Sequence, residues 1–288
     1  MTAAAQRGPS ATARPPAIRL IVTRPQAQAD AWVEQLLGLG LTASAVPLLG
    51  IADPPDPSAL QRAWSELARY RLVMFVSPNA VERFFALAAP TAAWPPSVLA
   101  AGTGPGTAAA LLSHGVPPQQ VVCPAAAGLS PDSEALWQIL QPRLKWPGSQ
   151  ALIVRGETGR NWLAEQMAEQ GVRVDFVQAY RRIAPVLTVP QQQCLQAALR
   201  EPAAHVWLLS SSEAVGHLRG LGVQPAGLGL RALATHARVA QAALDIGFAQ
   251  VQVVAPTTEA VAAWVAAWVA AQDVARLAAQ TARSIQSD

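Results

Sequence analysis

Leu20-Ile21-Val22-Thr23-Arg24 returns later in the chain as Leu152-Ile153-Val154-Arg155-Gly156, and the likeness continues downstream of both. Each apolar run is followed by a tryptophan (Trp32, Trp162), a glycine (Gly40, Gly171) and a stretch closed by isoleucine (Ile51, Ile183). A second pair of segments repeats in the same way. Leu72-Val73-Met74-Phe75-Val76-Ser77-Pro78-Asn79-Ala80-Val81 is matched by Val206-Trp207-Leu208-Leu209-Ser210-Ser211-Ser212-Glu213-Ala214-Val215. Both run on through a small-residue loop, an Ala-rich segment, a glycine and a strand ending in proline. The shift is 132 residues at Ile51/Ile183, Gly115/Gly247 and Pro124/Pro256. An order A-B-A′-B′ predicts two similar lobes with a cleft between them.

The strand–helix alternation in each segment predicts parallel sheets flanked by helices, an α/β fold. Strands are expected at Ile18–Val22, Thr42–Ile51, Leu72–Val76, Val98–Ala101, Gln150–Val154, Val172–Tyr180, His205–Leu209, Leu230–Ala234 and Gln250–Val254. Helices are expected at Gln26–Leu37, Ala59–Ala68, Thr107–His114, Ser133–Leu140, Asn161–Gln170, Pro190–Arg200 and Arg238–Leu244, and from Pro78 and Ser212. Ala52-Asp53-Pro54-Pro55-Asp56-Pro57 is the strongest linker, and Arg181-Arg182-Ile183-Ala184-Pro185 is a second place to cross from lobe to lobe.

Composition narrows the class. The 288 residues suffice for two ordinary domains, and 51% hydrophobic with 14% charged residues is globular. A net charge of +3, with no basic block and no aromatics among arginines, does not announce nucleic acid. Cys123 and Cys194 stand apart, with no metal-ligand spacing, and read as reduced cytosolic packing thiols. The acid-free stretch 1–16 reads as a disordered tail. The apolar run Ala260–Ala271 is 12 residues, short of the roughly 20 of a membrane span, so Glu259–Ile285 reads as a last helix with a fraying extension.

In such sheets chemistry gathers on loops at the carboxyl ends of strands. Thr23-Arg24-Pro25 reads as a helix cap or as a ligand contact. Ser77-Pro78-Asn79 is a capping serine, or an anion site at a helix start. Gly102-Thr103-Gly104-Pro105-Gly106-Thr107 has neither the dinucleotide glycine pattern nor a P-loop lysine. It offers close backbone approach at Gly104 and a cap or donor in Thr107. Arg155-Gly156 follows another strand, and Ser211 and Thr235-His236 are the B′ counterparts of the second and third loops. There is no paired-carboxylate pattern and no Gly-x-Ser-x-Gly elbow. Donors without a nucleophile suit an enzyme that grips a polyanion and leaves the bond-making to its substrate. They suit equally a bilobed small-anion binding or sensor protein without catalysis. A two-lobed glycosyltransferase would want a nucleotide-reading loop and an acidic catalytic residue.

The order of Ile21-Val22-Thr23-Arg24-Pro25, Phe75-Val76-Ser77-Pro78-Asn79-Ala80-Val81, Gly104-Pro105-Gly106-Thr107-Ala108, Val154-Arg155-Gly156 and Tyr180-Arg181-Arg182 resembles that of bacterial uroporphyrinogen-III synthases, from Arg19 to about Ala270. The resemblance implies that A joins B′ and B joins A′. One lobe is then 17–51 plus 184–288 and the other 52–183, joined by a two-stranded hinge at Leu49–Asp53 and Arg181–Pro185. It implies a cyclising hydro-lyase of heme biosynthesis. The substrate would be hydroxymethylbilane, a linear tetrapyrrole with eight carboxylates, closed with inversion of ring D and loss of water. No cofactor and no metal would take part, and the enzyme would be a cytoplasmic monomer, with transient hand-over from the preceding pathway enzyme.

Residue by residue, the resemblance makes Tyr180 the candidate that assists departure of the ring A hydroxyl. Ser77, Thr107 and Ser211 match hydroxyls that hold substrate, with Thr23, Arg24, Asn79, Gly104, Arg155, Gly156, Thr235 and His236 as further substrate contacts. Val76 stands where relatives often carry a hydroxyl, and Thr235-His236-Ala237-Arg238 departs from a Gly-x-x-Thr form seen in some.

Overall fold

The computed structural model describes residues 18–87, 93–124, 128, 132–143 and 146–285; the tail expected over 1–16 lies outside them. The chain divides into two compact units. Unit 1 takes the described residues up to Gly50 and those from Ala184 on, and unit 2 is Ile51–Ile183.

Unit 1 is one five-stranded sheet with helices on both faces. Its strands are β1 (Arg19–Val22), β2 (Thr42–Ala45), β10 (His205–Leu209), β11 (Arg231–Ala234) and β12 (Gln250–Val253), in the order β12-β11-β10-β1-β2. Every neighbouring pair is parallel. On one face lie α7 (Val189–Arg200), α8 (Ser212–Gly220) and α9 (Ala237–Asp245), burying Leu195, Val215 and Val239 against Ile21, Trp207 and Leu209. On the other lie α1 (Gln26–Gly38) and α10 (Thr258–Ile285), burying Leu36 and Val261 against Leu20, Val22 and Leu208.

Unit 2 repeats this. Its strands are β4 (Leu72–Phe75), β5 (Leu99–Gly102), β6 (Val121–Val122), β7 (Gln150–Arg155) and β8 (Arg173–Gln178), all parallel, in the order β6-β5-β4-β7-β8. The face bearing Val73 and Phe75 packs on α2 (Pro57–Ser65), α3 (Pro78–Phe85) and α4 (Pro105–Ser113). The face bearing Leu72 and Met74 packs on α5 (Ser133–Leu140) and α6 (Trp162–Glu169). The two sheets therefore superpose strand for strand in order, although the chain enters unit 2 at its central strand. The A-B-A′-B′ repeat is the cause: each sheet takes two strands from an A-type segment and three from a B-type segment.

Position in the sheet explains strand composition. The central strands β4 (LVMF) and β10 (HVWLL) are buried at every residue, as a strand covered on both faces requires. The edge strands β8 (RVDFVQ) and β12 (QVQV) carry polar residues that keep an open edge from pairing.

Some expected boundaries move. Thr42–Ile51 is not one strand. Pro47 lacks an amide hydrogen, and the ladder from β1 continues around it through Val46 N–H to the Val22 carbonyl at 2.9 Å and Leu48 N–H to the Thr23 carbonyl at 3.1 Å. Beyond it β3 (Gly50–Ala52) leaves that sheet and pairs with β9 (Arg181–Ile183). The helix expected at Ala59–Ala68 starts earlier, with Pro57 in its first turn and Asp56 accepting from the Ser58 amide at 2.9 Å. The last helix runs unbroken to Ile285, and among the described residues no helix is long and apolar enough to cross a membrane.

Candidate functional site

In each unit the connections reverse between two neighbouring strands. After β4 the chain turns to α3 on one face, and after β7 to α6 on the other, so their carboxyl ends open a crevice. Ladder register decides which side chains meet there. Phe75 pairs with Val154 and Arg155 with Gln178, and the ladder runs one step further through Val76 N–H to the Val154 carbonyl (3.2 Å) and Ala179 N–H to the Arg155 carbonyl (2.7 Å). Ser77, Gly156 and Tyr180 are thereby brought to one level.

Their contacts are specific. The Ser77 and Tyr180 hydroxyls are 3.0 Å apart. Ser77 also caps α3, accepting from the Ala80 amide at 3.3 Å. Gly156 lies against the face of the tyrosine: a Cβ there would stand 3.0 Å from two ring carbons and 3.3 Å from the hydroxyl oxygen. Tyr180 is only 1% exposed. Its hydroxyl thus meets the N-terminus of α3 through the serine that caps it.

The neighbouring candidates differ in what they can offer. Asn79 is in the first turn of α3. The cap of α4 is Gly104, with open space where a Cβ would be, and not Thr107, which is buried two residues further in than Pro105. Thr107 packs its methyl onto Gly102, where a Cβ would come within 2.5 Å. Arg155 is held locally, stacked 4.2 Å over Phe176 and donating to Asn161 Oδ1 at 2.8 Å.

Unit 1 has the equivalent crevice where β1 leads to α1 and β10 to α8. Thr23 is not a helix cap there. It is 1% exposed and its hydroxyl donates to the Leu208 carbonyl at 2.6 Å, tying β1 to β10. Arg24 stacks 4.2 Å over Trp32 and reaches Gln28 Oε1 at 3.4 Å. Burial pushes its pKa down to about 10, so it stays charged at neutral pH but poorly solvated. Ser211 caps α8, accepting from the Ala214 amide at 3.3 Å. His236 caps α9 through Nδ1, which accepts from the Arg238 amide at 3.1 Å, while the Thr235 amide continues the ladder to Leu209. Trp32 is in the sequence a marker of the repeat, and its place two turns into α1, eight residues after Arg24, is the signal for this stack.

Ser77, Gly156 and Tyr180 thus come together in unit 2, and Arg24 belongs to unit 1. Among the described residues no group of three His, Cys, Asp or Glu side chains could hold a metal ion. What remains is a buried phenol hydrogen-bonded to the serine that caps α3, with a hydroxyl cap on α8 and an imidazole cap on α9.

Comparison with known proteins gives a consistent result. The family described as HEM4, uroporphyrinogen-III synthase HemD, matches residues 30–263. The uroporphyrinogen-III synthase of Salmonella typhimurium is 32% identical over 167 residues, 57% of this chain and 65% of that relative's length. The crystal structure of uroporphyrinogen-III synthetase from Helicobacter pylori has the same fold, with a TM-score of 0.54 at 14% identity over 88% of this chain and 99% of that one. A mutant uroporphyrinogen III synthase from Thermus thermophilus aligns over 89% of this chain and 99% of its own, at 19% identity and a TM-score of 0.48.

Proposed function

The chain belongs to the uroporphyrinogen-III synthase family, and on that premise we propose that it cyclises hydroxymethylbilane to uroporphyrinogen III with loss of water. The observation that supports this best is the 3.0 Å contact between Tyr180 and Ser77 at the start of α3. The Ala80 amide donates to Ser77 Oγ, and in this reading the serine proton is donated to the tyrosine oxygen. In that direction of donation the phenol's own proton is free for a leaving group, and each bond polarises the next.

Tyr180 gives its proton to the ring A hydroxyl as the carbon–oxygen bond breaks. Electrons from the pyrrole nitrogen fill the gap, and water leaves. Ring D then attacks through its substituted α-carbon to give a spiro intermediate, which fragments and recloses inverted. The proton lost on final rearomatisation restores the phenol. The substrate does the bond-making, so the protein's task is placement and charge stabilisation. In this reading the enzyme works as a cytoplasmic monomer supplied by the preceding enzyme of the pathway.

The test is direct. Purified protein is given hydroxymethylbilane without added metal or nucleotide, and the quenched, oxidised products are separated by isomer. Type III product is expected. Product that is all type I, as in the protein-free control, overturns the proposal.

A further inference from the structure

The same sheet face is finished differently in the two units. The 132-residue shift sets Leu99 of β5 against Arg231 of β11. In unit 2, Leu99 packs with Ala101 and Val122 under Trp137 and Trp146, both buried, with ring centroids 5.3 Å apart. In unit 1, Trp264 and Trp268 of α10 lie over the matching face but are only half-buried, with ring centroids 6.5 Å apart. These indoles line a cavity of about 420 Å³ together with Arg231, Gln250 and Gln252. What unit 2 seals, unit 1 leaves as a groove.

The groove suits an anion. Arg231 is the one charged side chain lining it among the described residues. Its guanidinium stacks 4.9 Å over Trp268, and Nη2 donates to the Ala203 carbonyl, so the plane of the fork is set. Nε and Nη1 have no acceptor among the described residues, and burial lowers the pKa with no neighbouring charge to offset it. Gln252 Oε1 accepts from the Trp264 indole at 2.7 Å, which orients the amide and leaves Nε2 as a second donor. A solvated sheet edge explains an arginine and two glutamines. It does not explain two half-buried tryptophans beside them around a cavity in the size range of small-ligand sites. Fork, amide and indoles together match a flat aromatic ring bearing a carboxylate: the donors take the charge and the indoles take the ring. Arg231 and Gln250 open β11 and β12, at the amino ends of the strands, whereas Thr23, Ser211 and His236 follow carboxyl ends.

We propose that this groove of unit 1 binds a planar aromatic carboxylate, with Arg231 and Gln252 holding the carboxylate and Trp264 and Trp268 the ring, at a site separate from the crevice. The site goes beyond the reaction proposed above and does not depend on it.

The experiment titrates the full chain calorimetrically with 2-naphthoate, and with two controls: 2-naphthamide, which keeps the ring without the charge, and cyclohexanecarboxylate, which keeps the charge without the aromatic ring. 2-Naphthoate should bind with a Kd of about 1 mM or tighter, and each control about tenfold more weakly or worse. Arg231→Gln, with folding checked by circular dichroism, should weaken 2-naphthoate about tenfold and remove the preference for acid over amide. Salt should reduce that preference in the parent. A second measurement needs no arginine variant. In the parent, the indole N–H resonances of Trp264 and Trp268, assigned from Trp264→Phe and Trp268→Phe, should shift on titration more than those of the other tryptophans. No saturable binding to the parent overturns the assignment, as does equal affinity for acid and amide. So do parent-like affinity in folded Arg231→Gln and resonance shifts confined to other tryptophans. Turnover plays no part in these readouts, so their failure leaves the proposed reaction standing.

Discussion

The hydroxyls of Ser77 and Tyr180 lie 3.0 Å apart although 103 residues separate them in the chain. Ladder register between β4, β7 and β8 makes that contact, and Ser77 holds it while capping α3. Tyr180→Phe keeps the ring in place and removes only the hydroxyl. Stability should fall by about 0.5–1.5 kcal/mol, the net worth of one hydrogen bond. Loss of a positioned proton donor costs about 10²–10⁴-fold, softened here to roughly tenfold or more because the substrate loses its hydroxyl spontaneously. The product should remain type III. Ser77→Ala should lower kcat in the same direction, and the double variant should add little, since both changes break one unit. Turnover by Tyr180→Phe equal to the parent's at saturating substrate would reduce the tyrosine to packing.

Gly156 is where that arrangement is most vulnerable. A methyl group there would sit 3.0 Å from the Tyr180 ring, tighter than ordinary contact, so the ring must shift and the bond to Ser77 must lengthen. Gly156→Ala should cost about 1–3 kcal/mol from overpacking and bring turnover to about the level of Tyr180→Phe. Gly159→Ala is the control, because its new methyl would meet nothing nearer than Arg155 Cδ at 3.9 Å. Equal activity in the two alanine variants would show that Tyr180 tolerates displacement.

The architecture was legible because its signals are local. Unbroken apolar runs mark β4 and β10, and glycines at positive φ (Gly40, Gly115, Gly171, Gly247) stop helices in both copies. Pro47 was harder: Val46 and Leu48 keep an apolar pattern on both sides while the strand ends. The site was legible as a set of loops, since strand order sends them to one end of each sheet. What each side chain does on its loop depended on partners far away in sequence. Thr23 spends its hydroxyl on Leu208, 185 residues on, and Tyr180 is buried by Gly156 and Ser77. No local pattern encodes those pairings.

Gly115 and Gly247 are equivalent in the repeat and differ in what surrounds them. Both have left-handed backbone, at φ +81° and +104°. A Cβ on Gly115 would meet open space, whereas one on Gly247 would lie 2.6 Å from the backbone of Ala226. Gly115→Ala should therefore cost about 1–2 kcal/mol, the left-handed penalty alone. Gly247→Ala should cost that plus about 1–3 kcal/mol of overpacking. Urea unfolding followed unit by unit should show the larger loss in unit 1. Equal losses at the two sites would mean that the Ala226 turn yields freely.

Acid sensitivity should centre on Asp175, at the open edge of unit 2. Partial burial pulls its carboxyl upward, but hydrogen bonds from Arg69 Nη2 (2.8 Å) and the Tyr70 hydroxyl (3.2 Å), with Arg173 nearby, hold it below its ordinary value. A carboxylate whose folded pKa is depressed stabilises the fold above its unfolded pKa of about 3.9, and that contribution disappears as pH falls through the folded value. Tyr70 works in the opposite direction. Burial, then the Asp175 charge, raise its pKa, so its contribution is present below about pH 10 and is lost as pH rises through the higher folded value. Asp175→Asn should thus be less stable than the parent from about pH 5 to 8, with the gap beginning to narrow below about pH 4, where the unfolded chain's carboxyl takes up a proton, and closing as pH falls through the lower folded value. The same gap should shrink in 1 M salt, because Arg69 and Asp175 are partly exposed. Urea midpoints across pH 3 to 8 would measure it. A gap that stays constant down to pH 3 would show that Asp175 acts through shape and hydrogen bonding, with its charge contributing nothing.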